Sequence, residues 1–162
     1  MSLLNTVLLT VSISLMYSAP LIFTALGGVI TQRAGVDNIG LEGMMAFGAC
    51  GASILCHFTG SPWFGLLVGA AFGATLAVLH AFVAVTAKGN QLISGIAINF
   101  IGLGIGVFLT RFLFNGAAQS NSTISTPLPK VFGLLGIDKS KSRLLESAEI
   151  DLTVIFAFAF AV

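Results

Sequence analysis

The sequence predicts an all-α protein, a polytopic bundle of about four to five transmembrane helices with a break before the second. Three observations lead there. Of the 162 residues, 56% are hydrophobic and 8% are charged, whereas a soluble domain carries about 25% charged residues. Mean hydropathy is +1.03. Finally, uncharged runs recur at the length of about 20 residues that a helix needs to cross a bilayer core. Backbone groups in lipid can pair only within the chain, so such runs are helical.

The first span is expected over residues 3–30. It is read as a retained helix, because no Lys or Arg precedes Arg33 and the apolar run is too long for a signal peptide. Pro20 removes one hydrogen bond from it and leaves room for a kink or a tilt. Residues 31–45 then carry Arg33, Asp37 and Glu42, after which no charge occurs until Lys88. That stretch exceeds one span, and Thr59-Gly60-Ser61-Pro62 divides it at turn residues into helices over 39–58 and 62–87. Lys88-Gly89-Asn90-Gln91 forms a polar connection to a fourth helix over 92–114, where Arg111 is placed to snorkel toward the headgroups.

Residues 115–150 differ in composition, being rich in Ser, Asn and Thr with Pro127 and Pro129. They are expected to form a polar loop between transmembrane helices, with an apolar stretch at 131–137 able to dip into the interface and a short interfacial helix over 141–149. Residues 152–162 are apolar but only half a span long. The whole of 1–162 therefore reads as a single transmembrane domain, truncated or damaged at its C-terminus.

A net charge of +1 offers no basic field for nucleic acid. Cys50 and Cys56 fit neither a metal pair nor a redox CxxC, and His57 and His80 stand apart from any Cys, Asp or Glu cluster, so no metal site is expected. No Ser/His/Asp set and no paired carboxylates suggest catalysis.

Two glycine stripes predict tight helix packing. Gly65, Gly69 and Gly73 repeat at four-residue spacing in the third helix, and Gly95, Gly102 and Gly106 share a stripe with Asn99 in the fourth. Asn99 must find partners, either across a helix interface or along a polar path.

Residues 35–45, GVDNIGLEGMM, are the most informative segment. Glycines at 35, 40 and 43 weaken helix, and Asp37 or Asn38 can cap the helix that follows. Asn38 and Glu42 share a face if the segment is helical. Glu42 opens an uncharged helix, where a carboxylate is costly unless it is paired or faces water. The segment is either a capped surface turn with an Arg33–Asp37 pair, or a discontinuous helix facing a translocation path. Residues 88–99 form a second cluster, in which Asn90, Gln91, Ser94 and Asn99 could bind a neutral polar solute. In the plainer reading Lys88 anchors at the interface and Asn90 is a turn residue.

At these two segments, R-x-G-V-x-N-I-G-L-E-G-M-M and G-N-Q-x-I-S-G-I-A-I-N, the sequence resembles the permeases of ABC importers in the ribose, branched-chain amino acid and nucleoside superfamily. The nucleoside-type, or simple-sugar-type, members are the most similar, and the resemblance runs from about Ala19 to the last span. It implies a bacterial inner-membrane protein that imports nucleosides or related sugars by alternating access. The substrate pathway would include Asn38, Glu42, Asn90, Gln91, Ser94 and Asn99. The implied partners are a second permease subunit, two ATP-binding subunits and an external substrate-binding protein. No G-x-x-x-x-G-K-[ST] occurs, so no cofactor is expected in this chain, and ATP and Mg would be used by the partner ATPase.

Lys130, Lys139, Lys141 and Arg143 would place the 115–150 loop in the cytoplasm by charge, while the resemblance implies an external loop. Two other readings remain. One is an ion-coupled transporter using Glu42 as a proton or sodium site, and the other a non-functional permease fragment.

Overall fold

The computed structural model describes residues 3–116 and Ala159. Four helices in it are long and apolar enough to cross a membrane, and there is no strand among the described residues. The expected loop over 115–150, its interfacial helix and the half-span over 152–162 lie almost entirely outside those residues.

Helix α1 spans Leu3–Arg33 and continues through Pro20 without interruption, ending one turn later than expected. Its hydroxyls fold back onto its own carbonyls, as Thr10 does on Thr6 at 2.8 Å and Thr24 on Pro20 at 2.7 Å. This satisfies them without an external partner. Residues up to Leu26 and residues from Gly27 to Thr126 belong to separate compact units. In the first, Ala19 is buried and packs with Leu15 and Ile22 of the same helix.

The second unit holds the remaining helices. Helix α2 spans Leu41–Thr59 and ends where Gly60 takes a φ of +66°, a left-handed conformation that glycine adopts without strain. Pro62 then opens α3, Pro62–Ala81, at the position where its missing N–H costs nothing. Residues 62–87 were expected as one α-helix, but the last turn, Phe82–Thr86, is a π-helix. There Ala87 N–H bonds to Phe82 O and Gly89 N–H to Val83 O, both at 2.9 Å, so the helix widens as it ends. The β-branched residues Val83, Val85 and Thr86 weaken α-helix at this point. Helix α4 spans Gln91–Leu113, and Asn90 caps it by accepting the Ile93 N–H at 3.2 Å.

Contacts fix the directions. Gly48 lies against Gly69 and Ala52 against Gly65, so α3 runs antiparallel to α2. Gly40 lies against Gly95, Cys50 against Gly106 and His57 against Phe114, so α4 runs parallel to α2. The N-termini of α2 and α4 therefore sit at one end of the unit. Helix α2 is the shared partner, and Met44, Leu76 and Ile98, one from each helix, form the buried core. The outer faces carry Phe64, Leu67, Phe100 and Phe112, all exposed as a lipid-facing surface should be.

The approach of α4 to α2 is close enough to require glycine on both sides. A Cβ on Gly43 would meet Asn99 Cα and Ile98 O at 2.5 Å, and one on Gly102 would collide with the Gly43 carbonyl. Gly104, on the same helix, has nothing within 4 Å of such an atom. Gly43→Ala and Gly102→Ala are each expected to destabilise the unit by about 1–3 kcal/mol through overpacking. Gly104→Ala is expected to be neutral or to stabilise by about 0.5–1 kcal/mol through helix propensity. Denaturant titration of the detergent-solubilised protein, followed by circular dichroism, distinguishes these outcomes.

Candidate functional site

The site is the break between α1 and α2 together with the two turns of α4 that hold it. Gly35 turns the chain with a φ of +79° and no atom within 4 Å of its missing side chain, so backbone conformation alone demands glycine here. Residues 36–38 are non-helical. The segment therefore leaves its peptide groups without a helical ladder, and each needs another partner.

The Val36 N–H bonds back to Thr31 O of α1 at 3.0 Å, and helix α4 serves other groups of the break with two amide side chains. Near its start, Gln91 Oε1 accepts the Asp37 N–H at 2.7 Å, and Gln91 Nε2 donates to Gly35 O at 3.5 Å. Two turns further on, Asn99 Oδ1 accepts the Gly43 N–H at 2.7 Å, and Asn99 Nδ2 donates to Ile39 O at 3.0 Å. Gly43 is the third residue of α2, whose N–H has no partner inside its own helix. Asn99 thus caps α2 from a neighbouring helix.

Asp37 or Asn38 was expected to cap α2. The residue at the cap is instead Gly40, which has no side chain to offer. Asn38 accepts the Gly40 N–H of its own turn at 3.0 Å and donates to Met44 Sδ in α2 at 3.6 Å. Because Asn38 precedes the helix, it and Glu42 do not share a helical face. Arg33 and Asp37 form no ion pair among the described residues, since the helix ends at Arg33.

Glu42 lies in the first turn of α2 and is exposed. The helix dipole favours a negative charge there. Gly40 packs against Gly95, which places the start of α2 about 6 Å deeper along the bundle than the first residue of α4. Glu42 projects from that recessed helix end.

Of the six candidate pathway residues, Asn38, Gln91 and Asn99 converge on the backbone of the break. Asn90 caps α4, and Ser94 faces α3, where its Oγ lies 3.0 Å from His80 Nδ1. The six packing glycines divide between two interfaces. Gly65, Gly69 and Gly73 lie against α2 from α3, and Gly95, Gly102 and Gly106 lie against the break and α2 from α4. Sequence reasoning missed His80, which is 2% exposed inside an apolar helix. Its separation from Ser94, 14 residues along the chain, gave no periodic signal.

Asn99→Leu would leave the part-buried Gly43 N–H unpaired, while water can reach the exposed Ile39 carbonyl. The substitution is expected to cost about 1–3 kcal/mol of stability in detergent unfolding. Gln91→Leu is expected to cost less, because its two bonds lie in the exposed part of the break, where water can replace them.

The family model described as the permease component of branched-chain amino acid transport systems matches residues 10–162. The guanosine ABC transporter permease protein NupQ of Bacillus subtilis is 42% identical over 114 residues, covering 67% of this chain and 35% of the relative. The nucleoside ABC transporter permease protein NupC of Lactococcus lactis is 39% identical over 121 residues, covering 70% and 38%. A putative glucose ABC transporter permease protein, TsgC13 of Haloferax volcanii, is 43% identical over 103 residues, covering 64% and 30%. The matched segment spans about a third of the length of these curated relatives. No solved structure matches the chain significantly. With four spanning helices and a family match over nearly all its length, the chain belongs to the permease-component family of branched-chain amino acid transport systems and is a multi-pass protein of the bacterial inner membrane.

Proposed function

We propose that this chain is part of the permease subunit of an ABC importer that moves nucleosides or related simple sugars by alternating access. The observation that carries the reading is the recessed, amide-clamped start of α2, which projects the Glu42 carboxylate from a helix end about 6 Å inside the level of α4's first residue. A carboxylate in a membrane-spanning bundle is tolerable only beside water or a partner. Glu42 forms no ion pair among the described residues, and a wet passage is the partner this reading supplies. The names of the nucleoside and glucose permease relatives support the solute class.

The roles divide by what each side chain touches. Gln91 and Asn99 position the break and have their amides occupied by its backbone. Glu42 remains to accept hydrogen bonds from solute hydroxyls, strengthened by its charge. Asn38 holds the turn from which Glu42 is presented. No covalent chemistry is required of this chain. A second permease subunit completes the path, an external binding protein delivers the solute, and ATPase subunits using ATP and Mg drive the cycle.

The test is nucleoside uptake by the full transporter, reconstituted with its ATPase and binding protein. Glu42→Leu is expected to lower uptake at least about tenfold, the size of one charge-assisted hydrogen bond, without changing membrane insertion. Asn38→Leu is expected to act in the same direction. Normal uptake in both variants would overturn the site. Uptake that persists without the ATPase and collapses with an uncoupler would overturn the ABC reading in favour of ion coupling at Glu42.

A further inference from the structure

Gln91 and Asn99 hold the break only while α4 keeps its rotation. Their amides bond it at distances from 2.7 to 3.5 Å. A side-chain group lies about 5 Å from its helix axis, so turning the helix by about 20° carries that group about 2 Å and breaks such a bond. Gly95 and Gly102 let α4 approach the break and α2 closely, but contact between such small residues is weakly directional. On the other side, packing is loose. A groove of about 350 Å³ opens between α3 and α4, with Leu79 and Val83 on one wall and Ile93, Ala97 and Ile101 on the other. Val83 belongs to the π-helical turn that ends α3.

A directional contact crosses beside this groove. His80 Nδ1 lies 3.0 Å from Ser94 Oγ, and both residues are buried. The second ring nitrogen, His80 Nε2, is buried with no partner among the described residues. An apolar side chain of similar size would avoid that unsatisfied group. The imidazole therefore bonds through Nδ1 alone among the described residues, and that bond ties α3 to α4. Ser94 and Asn99 are five residues apart and point about 140° from each other around α4. One anchors the helix to α3 and the other grips the break, so together they resist rotation from two sides.

We infer that His80 is a positioning residue: through Ser94 it fixes the rotation of α4, and through α4 it keeps Gln91 and Asn99 on the break. His80 itself has no hydrogen bond to the break or to Glu42 among the described residues. The consequence for transport rests on the reading of the break as part of the solute path, whereas the positioning stands on the geometry.

Hydrogen–deuterium exchange of the full transporter in detergent, read by mass spectrometry on peptides covering residues 36–44 and 50–58, tests the positioning. His80→Leu is expected to speed exchange in 36–44 about tenfold and to leave the far half of α2, 50–58, within about twofold. Ser94→Ala, a smaller change, is expected to act in the same way. Asparagine carries its amide where Nδ1 stands, and glutamine carries it out to the level of Nε2. His80→Asn is therefore expected to keep 36–44 slow, and His80→Gln to behave like His80→Leu. A side chain that merely filled space would give the opposite order, since Gln and Leu are closer to His in size than Asn is. Slow exchange in His80→Leu and Ser94→Ala, no advantage of Asn over Gln, or equal acceleration in 50–58 would each overturn the inference. In nucleoside uptake, His80→Leu is expected to lose about fivefold and His80→Asn to retain most activity. Full uptake in His80→Leu, where Glu42→Leu is impaired, would also overturn it. Full uptake in Glu42→Leu alongside the expected exchange pattern would instead remove the transport site and leave the positioning standing.

Discussion

One carboxamide joins the two halves of the site. From two turns inside α4, Asn99 receives the Gly43 N–H and donates to the Ile39 carbonyl, so it spans the point where irregular chain becomes helix. In a soluble protein, water would serve those groups. In lipid an unpaired peptide group costs several kcal/mol, and a helix cannot begin at depth unless something caps it. Much of the local architecture follows from that requirement. The start of α2 must lie beside α4, α4 must run parallel to α2, and the two backbones must come close enough for a short side chain to reach.

The glycines make that approach possible. Gly43 and Gly102 face each other with no space for a Cβ, and Gly40 and Gly95 repeat the arrangement one turn nearer the break. On the other side of α2, Gly48 and Gly69 do the same for α3. Helix association in lipid gains little from apolar burial, since the tails are as apolar as the side chains, so close packing and interhelical hydrogen bonds must carry it. Here the two act together: the small residues allow the distance at which Asn99 and Gln91 can bond across it. Glu42, which none of these contacts uses, is left pointing outward from a capped and rigid helix end.

The faces of α4 divide the work. One is committed to the break through Gln91, Gly95, Asn99 and Gly102. Another meets α3 at Ser94 and His80 and opens the groove that ends in the π-helical turn. Gln91, Ser94 and Asn99 are thereby each matched to a neighbour by position, and exposed residues such as Phe100 and Phe112 are left to lipid.

Composition and run length by themselves determined the four spans, because a bilayer of fixed thickness admits only one element for an uncharged run of that length. Gly60 and Pro62 marked the turn between α2 and α3, and Gly35 marked the break, since these residues dictate backbone angles locally. The glycine stripes announced close packing but not their partners. Only the tertiary structure decided that Asn99, 56 residues from Gly43, caps α2, that Gln91 holds Asp37, and that His80 meets Ser94. It also decided that α3 ends in a π-turn. The reason is physical: a span requires only that its residues be apolar, whereas a hydrogen bond between helices depends on the rotation and depth of both, which no single segment contains.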